Sequence, residues 1–241
     1  MQQPTSTLVP TYYFPPAPPK VPPRVDEWPM PTFRLRVEDL THPGAQLFFE
    51  HVNPVQALRE AVLAVFKWLY TTETVPRHVE TVVLVLRSMP GAAHTSGADI
   101  YKEIHFSLEH IANNASRAKD EINGVLVHEM VHCYQYNGMG RCPGGLVEGV
   151  ADWVRLHAGL KPPHWREGGG DKWDAGYEAT AYMLEWMEGK YGFGFVRNLN
   201  LTMRDREYED AMFKEHTGRK ISSLWKDYRA YVDESRKAGK A

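Results

Sequence analysis

Five residues near the middle of the chain, His128-Glu129-Met130-Val131-His132, restrict what it can fold into more than any other stretch. Residues four apart on an α-helix stand one above the other, so His128 and His132 offer two imidazoles to one point, a spacing that suits a single metal ion. Glu129 lies beside that face, where a carboxylate can work as a base. The pattern predicts a helix from about Asp120 to Asn137, with Ile122, Leu126, Met130 and Cys133 as an apolar stripe widened by Val127, Val131 and Tyr134. His128 and His132 leave from the opposite side, with Gln135 beside them. A helix apolar over half its circumference is buried, and buried imidazoles need partners.

The residues that follow can supply those partners. Gly138, Gly140, Pro143, Gly144 and Gly145 interrupt the helical pattern and allow the chain to reverse. Leu146, Val150 and Trp153, with Val147 and Val154, then predict a second amphipathic helix on which Glu148 and Asp152 share a face. Such a hairpin returns Glu148 over the histidine pair as a third ligand and leaves a fourth position for water, the open arrangement of a catalytic zinc site. Asp152 is placed to accept the second ring N–H of a liganding histidine and fix its tautomer. The bland alternatives are core histidines satisfied by backbone carbonyls and a solvated acidic face, with Asp152 paired to Arg155. Taken together, the two segments favour the metal reading.

Residues 128–156 resemble the basic secretory protein family of plant and microbial zinc peptidases, and the likeness continues into Trp173-Asp174-Ala175-Gly176-Tyr177-Glu178-Ala179-Thr180-Ala181, spanning most of residues 80–230. The resemblance implies an α+β, zincin-like metallopeptidase fold: a mixed sheet with an edge strand packed on the active-site helix, and a mainly helical C-terminal part. It implies that Zn2+ is held by His128, His132 and Glu148, that Glu129 is the catalytic base, and that peptide bonds of a peptide or protein substrate are hydrolysed by zinc-bound water. The Glu148-x-x-x-Asp152 spacing resembles the glutamate-ligand branch, the gluzincins. The metzincin branch carries glycine three and histidine six residues after the second motif histidine, where this chain has Gln135 and Gly138, so a three-histidine site is rejected.

Tyr177, at the start of a predicted helix carrying Ala181, Leu184 and Met187, is a candidate donor to the oxyanion that forms during such a reaction. A core tyrosine with a bonded hydroxyl is the alternative, and His164 is a weaker candidate. The competing function is a catalytically silent, zinc-stabilised binding module; the intact Glu129 argues against it.

A net charge of −2 and a pI near 6.6 provide no basic field, which argues against nucleic acid or an anionic membrane as the main partner. The chain is thus neither basic nor, lacking a visible signal peptide at Met1–Thr5, overtly secreted, and the expectation is cytoplasmic or non-classical export. No apolar run approaches the roughly 18 residues of a spanning helix. Cys133 and Cys142 permit at most one bridge, and the Asn114 and Asn200 triplets read as chance.

Ten of the 17 prolines fall in residues 1–31, read as an extended arm in which residues 15–24 have the form of a ligand for a proline-reading domain. Residues 32–241 read as one catalytic domain with a cleft between sub-lobes 32–137 and 138–241. Thr32–Val37 predicts a strand, Asn53 caps a helix begun by Pro54, and Thr81–Leu86 reads as a buried strand. Ile104, Phe106 and Leu108 alternate with His105, Ser107 and Glu109, which predicts a strand with one wet face whose free edge can pair with substrate. His105 and His110 read as solvated. Gly168–Gly170 permits loop motion near the cleft or forms a plain surface loop, and Ile221, Leu224, Tyr228 and Val232 continue a helical pattern.

Overall fold

The strands are built where β-branched and apolar residues concentrate. In the computed structural model, which describes residues 28–238, β1 (Thr32–Val37), β2 (Thr81–Arg87), β3 (Ala93–Gly97) and β4 (Tyr101–Ser107) form one sheet in the order β1-β2-β4-β3. The proline-reading segment 15–24 lies outside the described residues. β1 and β4 flank β2 in parallel, and β3 joins β4 antiparallel. Val82–Leu86 of β2 are all buried, as a continuous apolar run in a central parallel strand requires.

A parallel pair needs a crossover, supplied between β1 and β2 by α1 (Pro43–His51) and α2 (Pro54–Leu69). The Asn53 side chain accepts from the Gln56 amide at 3.1 Å and so caps α2. Leu58, Val62, Val65, Phe66 and Leu69 form its buried face.

Two expectations are corrected at β4. The strand ends at Ser107, whose hydroxyl accepts from the His110 amide at 3.2 Å and starts α3 (Leu108–Asn113), so Leu108 is helical. Nor is β4 an edge with a wet face, since His105 is 8% and Ser107 0% exposed. The edge strand is β3, whose sequence Ala-His-Thr-Ser-Gly carries no apolar alternation to announce it. His105 stacks on His94 of β3 and bonds Glu103 at 3.0 Å, and His110 bonds Glu121 at 2.9 Å, so neither is simply solvated.

The remainder is helical: α4 (Ala118–Tyr134), α5 (Gly144–His157), α6 (Tyr177–Tyr191), α7 (Phe195–Thr202), α8 (Ala211–Thr217) and α9 (Ile221–Lys237). α4 stops three residues earlier than its apolar pattern suggested, because Gln135 turns to extended backbone. Gly138 and Gly140, at φ +56° and +81°, make the reversal into α5. α5 then packs against α6 at Gly149, where a Cβ would meet the Thr180 methyl at 2.3 Å.

The first residue of the glycine loop at 168–170 is fastened to α9: the Gly168 amide donates to the Tyr228 hydroxyl at 3.1 Å and its carbonyl accepts from Arg229 at 2.8 Å. Cys133 and Cys142 are both free thiols. Asn200 is buried and accepts from the Tyr136 amide at 3.0 Å, a position unsuited to glycosylation. Among the described residues no helix is long and apolar enough to cross a membrane.

Candidate metal centre and active site

The α4–α5 hairpin brings three ligand-type side chains to one point. His128 Nε2 and His132 Nε2, one helical turn apart on α4, lie 3.2 Å from each other. Glu148, from the first turns of α5, places Oε2 3.1 Å from His128 Nε2 and 3.7 Å from His132 Nε2. These three residues could hold a metal ion, and they are the one such group found among the described residues.

Both imidazoles are held from behind. His128 Nδ1 lies 2.7 Å from Asp152 Oδ1, and His132 Nδ1 lies 2.6 Å from Gln135 Oε1. With each Nδ1–H donating to its oxygen, both Nε2 lone pairs face the common point. Gln135 is fixed in turn by its amide, which donates to the Val147 carbonyl at 3.1 Å. That role depends on α4 ending at Tyr134, so that Gln135 folds back onto His132; periodicity alone shows only that Gln135 is nearby. Asp152 bonds His128, and Arg155 bonds Glu121 instead at 3.1 Å, so the surface Asp152–Arg155 pair is not formed.

Electrostatics make the centre a receptor for positive charge. Burial disfavours the His128 imidazolium, but its hydrogen bonds to the Asp152 and Glu148 carboxylates and the negative charges of Asp152 and Glu129 outweigh it and push the ring up to about 9. Burial raises the Glu148 carboxyl, and the two histidines reverse this and hold it far below the usual carboxylate range. A proton or a metal cation satisfies the same demand.

Around this point lies a cleft of about 830 Å³, bounded by β3, by α4 and α5, and by the stretch carrying His164 and Tyr177. Glu129 is 5% exposed and lines it. Thr95 of β3 fastens that carboxylate: its hydroxyl is 2.7 Å from Glu129 Oε2 and 2.9 Å from the Glu129 carbonyl. Nothing in the sequence pattern singled out Thr95, because the strand that presents it was not legible.

Tyr177 is not a core tyrosine. It opens α6 at φ +46°, is 54% exposed, and stacks on His128 with ring centroids 6.1 Å apart and planes at 11°. A non-glycine residue held at positive φ marks a place where the surroundings dictate the backbone. The negative charge of Glu148, and then burial, raise its phenol above the usual tyrosine range.

Beneath the cleft, Glu121 of α4 bonds His110, Arg117 and, at 3.1 Å, Arg155 of α5. Glu121 and Arg155, both buried, tie the hairpin together below the candidate metal site. Arg155 also donates to the Leu160 carbonyl at 3.1 Å.

Comparison with curated proteins and with solved structures gave no significant match. A protein-family model described as a peptidase of plants and bacteria, BSP, matches residues 30–228, a span that holds the whole sheet, the α4–α5 hairpin and Tyr177. The chain belongs to this peptidase family.

Proposed function

We propose that this peptidase is a zinc-dependent metalloendopeptidase of zincin-like, glutamate-ligand architecture, with His128, His132 and Glu148 as metal ligands and Glu129 as general base. The observation that carries the reading is the convergence of three donor atoms whose imidazoles are each anchored through Nδ1. Tetrahedral ligands at about 2.05 Å from zinc stand about 3.3 Å apart. The distances of 3.1, 3.2 and 3.7 Å fit one face of that tetrahedron. A zinc ion held there supplies a Lewis acid that polarises the scissile carbonyl and brings water toward ionisation at neutral pH.

The chain's own residues do the rest. Glu129 accepts the proton of the attacking water and hands it to the departing amine. Thr95 holds one oxygen of that carboxylate at a fixed orientation while the other stays available. Asp152 and Gln135 keep the imidazoles in their Nδ1–H tautomers. The Tyr177 hydroxyl is the candidate donor to the oxyanion, supported by its exposure and its stacking over His128.

The free edge of β3, beside Glu129, is the surface on which an extended peptide can add as a further strand. Residues 32–241 act in this reading as one catalytic unit, and the cleft draws its walls from both 32–137 and 138–241.

The test is metal analysis joined to peptide hydrolysis. Wild type should bind about one zinc per chain and lose activity to a chelator, and Glu129→Gln should keep zinc while hydrolysis falls by at least about a hundredfold. Zinc binding with equal behaviour of wild type and Glu129→Gln would instead favour a silent binding module.

A further inference from the structure

The cleft continues past the metal centre. His132, Gln135 and Asn137 line both it and a second hollow of about 420 Å³, which reaches Lys102, Asp99, Cys133 and Arg204. Strand register explains the continuity. Residues Ala93, Thr95 and Gly97 of β3 stand opposite Phe106, Ile104 and Lys102 of β4, on the face that Thr95 turns toward α4. Phe106 and Ile104 are wholly buried. The next member of this core-facing row is a lysine.

Lys102 is half-buried and lines the hollow together with Cys133 of α4. Gly97, its partner across the ladder, has no side chain to cover it, and at φ +118° a Cβ there would strike the Tyr101 carbonyl at 2.3 Å. Among the described residues the Lys102 side chain forms no ion pair or hydrogen bond. Of the other charges in the hollow, Arg204 is bonded to Asp205 at 2.6 Å, and Asp99 is exposed and unpaired with Lys102. An ammonium in this hollow loses part of its hydration when a substrate covers it, and no protein anion among the described residues offsets that loss. A carboxylate brought by a ligand offsets it through a charge-assisted bond.

We propose that this hollow is a substrate subsite that takes a carboxylate, with Lys102 as its specificity-determining residue. The inference rests on the peptidase reading above and deepens it by naming a substrate class: peptides acidic at one defined position. Thr95 marks the level of Glu129, and Gly97 lies two residues along β3, about 7 Å at the rise of an antiparallel strand. The acidic residue therefore sits about two positions from the scissile bond. The structural alternative is that Lys102 only complements the C-terminal dipole of α4.

The experiment uses the full-length, zinc-loaded protein and a peptide set in which Glu replaces Gln at each of three positions on either side of the cleaved bond. Each peptide is made with a free and an amidated C-terminus, which separates a side-chain carboxylate from a terminal one. The expected result is a kcat/KM ratio of about ten for Glu over Gln at a single position, or for free over amidated ends at a fixed distance from the bond. Lys102→Met should bring that ratio to near one, and Lys102→Glu should invert it. A wild-type ratio near one at every position overturns the subsite, as does an equal loss on acidic and neutral peptides in Lys102→Met. Failure of wild type to cleave any peptide while holding zinc overturns the peptidase mechanism and the subsite with it.

Discussion

Gly149 separates the two helices that carry Glu148 and Tyr177, and its substitution by alanine measures how tightly they are joined. A Cβ at this position would lie 2.3 Å from Thr180 Cγ2 and 2.5 Å from Thr180 Cβ, where carbon atoms need about 3.5–4.0 Å. Thr180 cannot turn aside. It is β-branched and buried, and its hydroxyl accepts from the Gly176 amide at 2.9 Å and donates to the Trp173 carbonyl at 3.0 Å. The helices must instead separate.

Overpacking of this kind costs about 1–3 kcal/mol. Removing a helix-interior glycine contributes about 0.5–1 kcal/mol in the opposite direction. The clash wins, leaving a net destabilisation of about 1–2 kcal/mol. In a domain of this size that lowers Tm by about 2–8 °C.

Gly189 on α6 is the control: it is exposed, and a Cβ there has nothing within 4 Å. Gly189→Ala should therefore raise stability by about 0.5–1 kcal/mol. Urea unfolding of the two variants at matched m-values reads the difference. Shifts of the same sign for both would refute the claim that contact, not propensity, decides at Gly149.

Two further expectations concern groups that the structure brought together. Thr95→Val removes a hydrogen bond to a charged carboxylate, worth about 1.5–3 kcal/mol; kcat should fall about tenfold or more with KM and zinc content little changed, and Thr95→Ser should recover most of the rate. A valine variant as active as wild type would remove Thr95 from the positioning of Glu129. The second expectation is acid sensitivity through Glu121. Burial raises its carboxyl, but the His110 bond, the Arg155 charge and Arg117 outweigh burial and bring it to about 2. A folded-state value below the unfolded one contributes stability that is present above about pH 4.5 and is lost as pH falls toward 2. Urea midpoints of wild type and Glu121→Gln should therefore lie apart at pH 6 and draw together by pH 2.5, and a gap independent of pH would contradict the ion group.

The contrast between α4 and β3 shows what can be read from residues in a line. The i, i+4 spacing of His128 and His132, the glycine-rich reversal and the Glu148/Asp152 face are local patterns, and helical geometry converts each directly into a direction in space. The helices at Pro54 and Ile221 and the central strand at Thr81 were legible for the same reason: their apolar periods match the burial they obtain. β3 has no such period. Its place at the sheet edge comes from pairing with β4, and the partner's apparent alternation, His105 and Ser107 included, pointed to a wet edge that β3 in fact covers.

By itself, then, the sequence determined the ligand-type residues, the order of the helices that carry them and the family to which the chain belongs, because short-range periodicity and motif spacing encode these. Only the tertiary structure decided that Thr95 grips Glu129, that Gln135 turns back onto His132, that Arg155 serves Glu121 and not Asp152, and that, among the described residues, Lys102 ends a core-facing row without an anion. Each of these contacts joins residues on different elements or across a helix end. Strand order, helix termination and the close approach allowed by Gly149 set their distances, and none of the three is a property of any one segment.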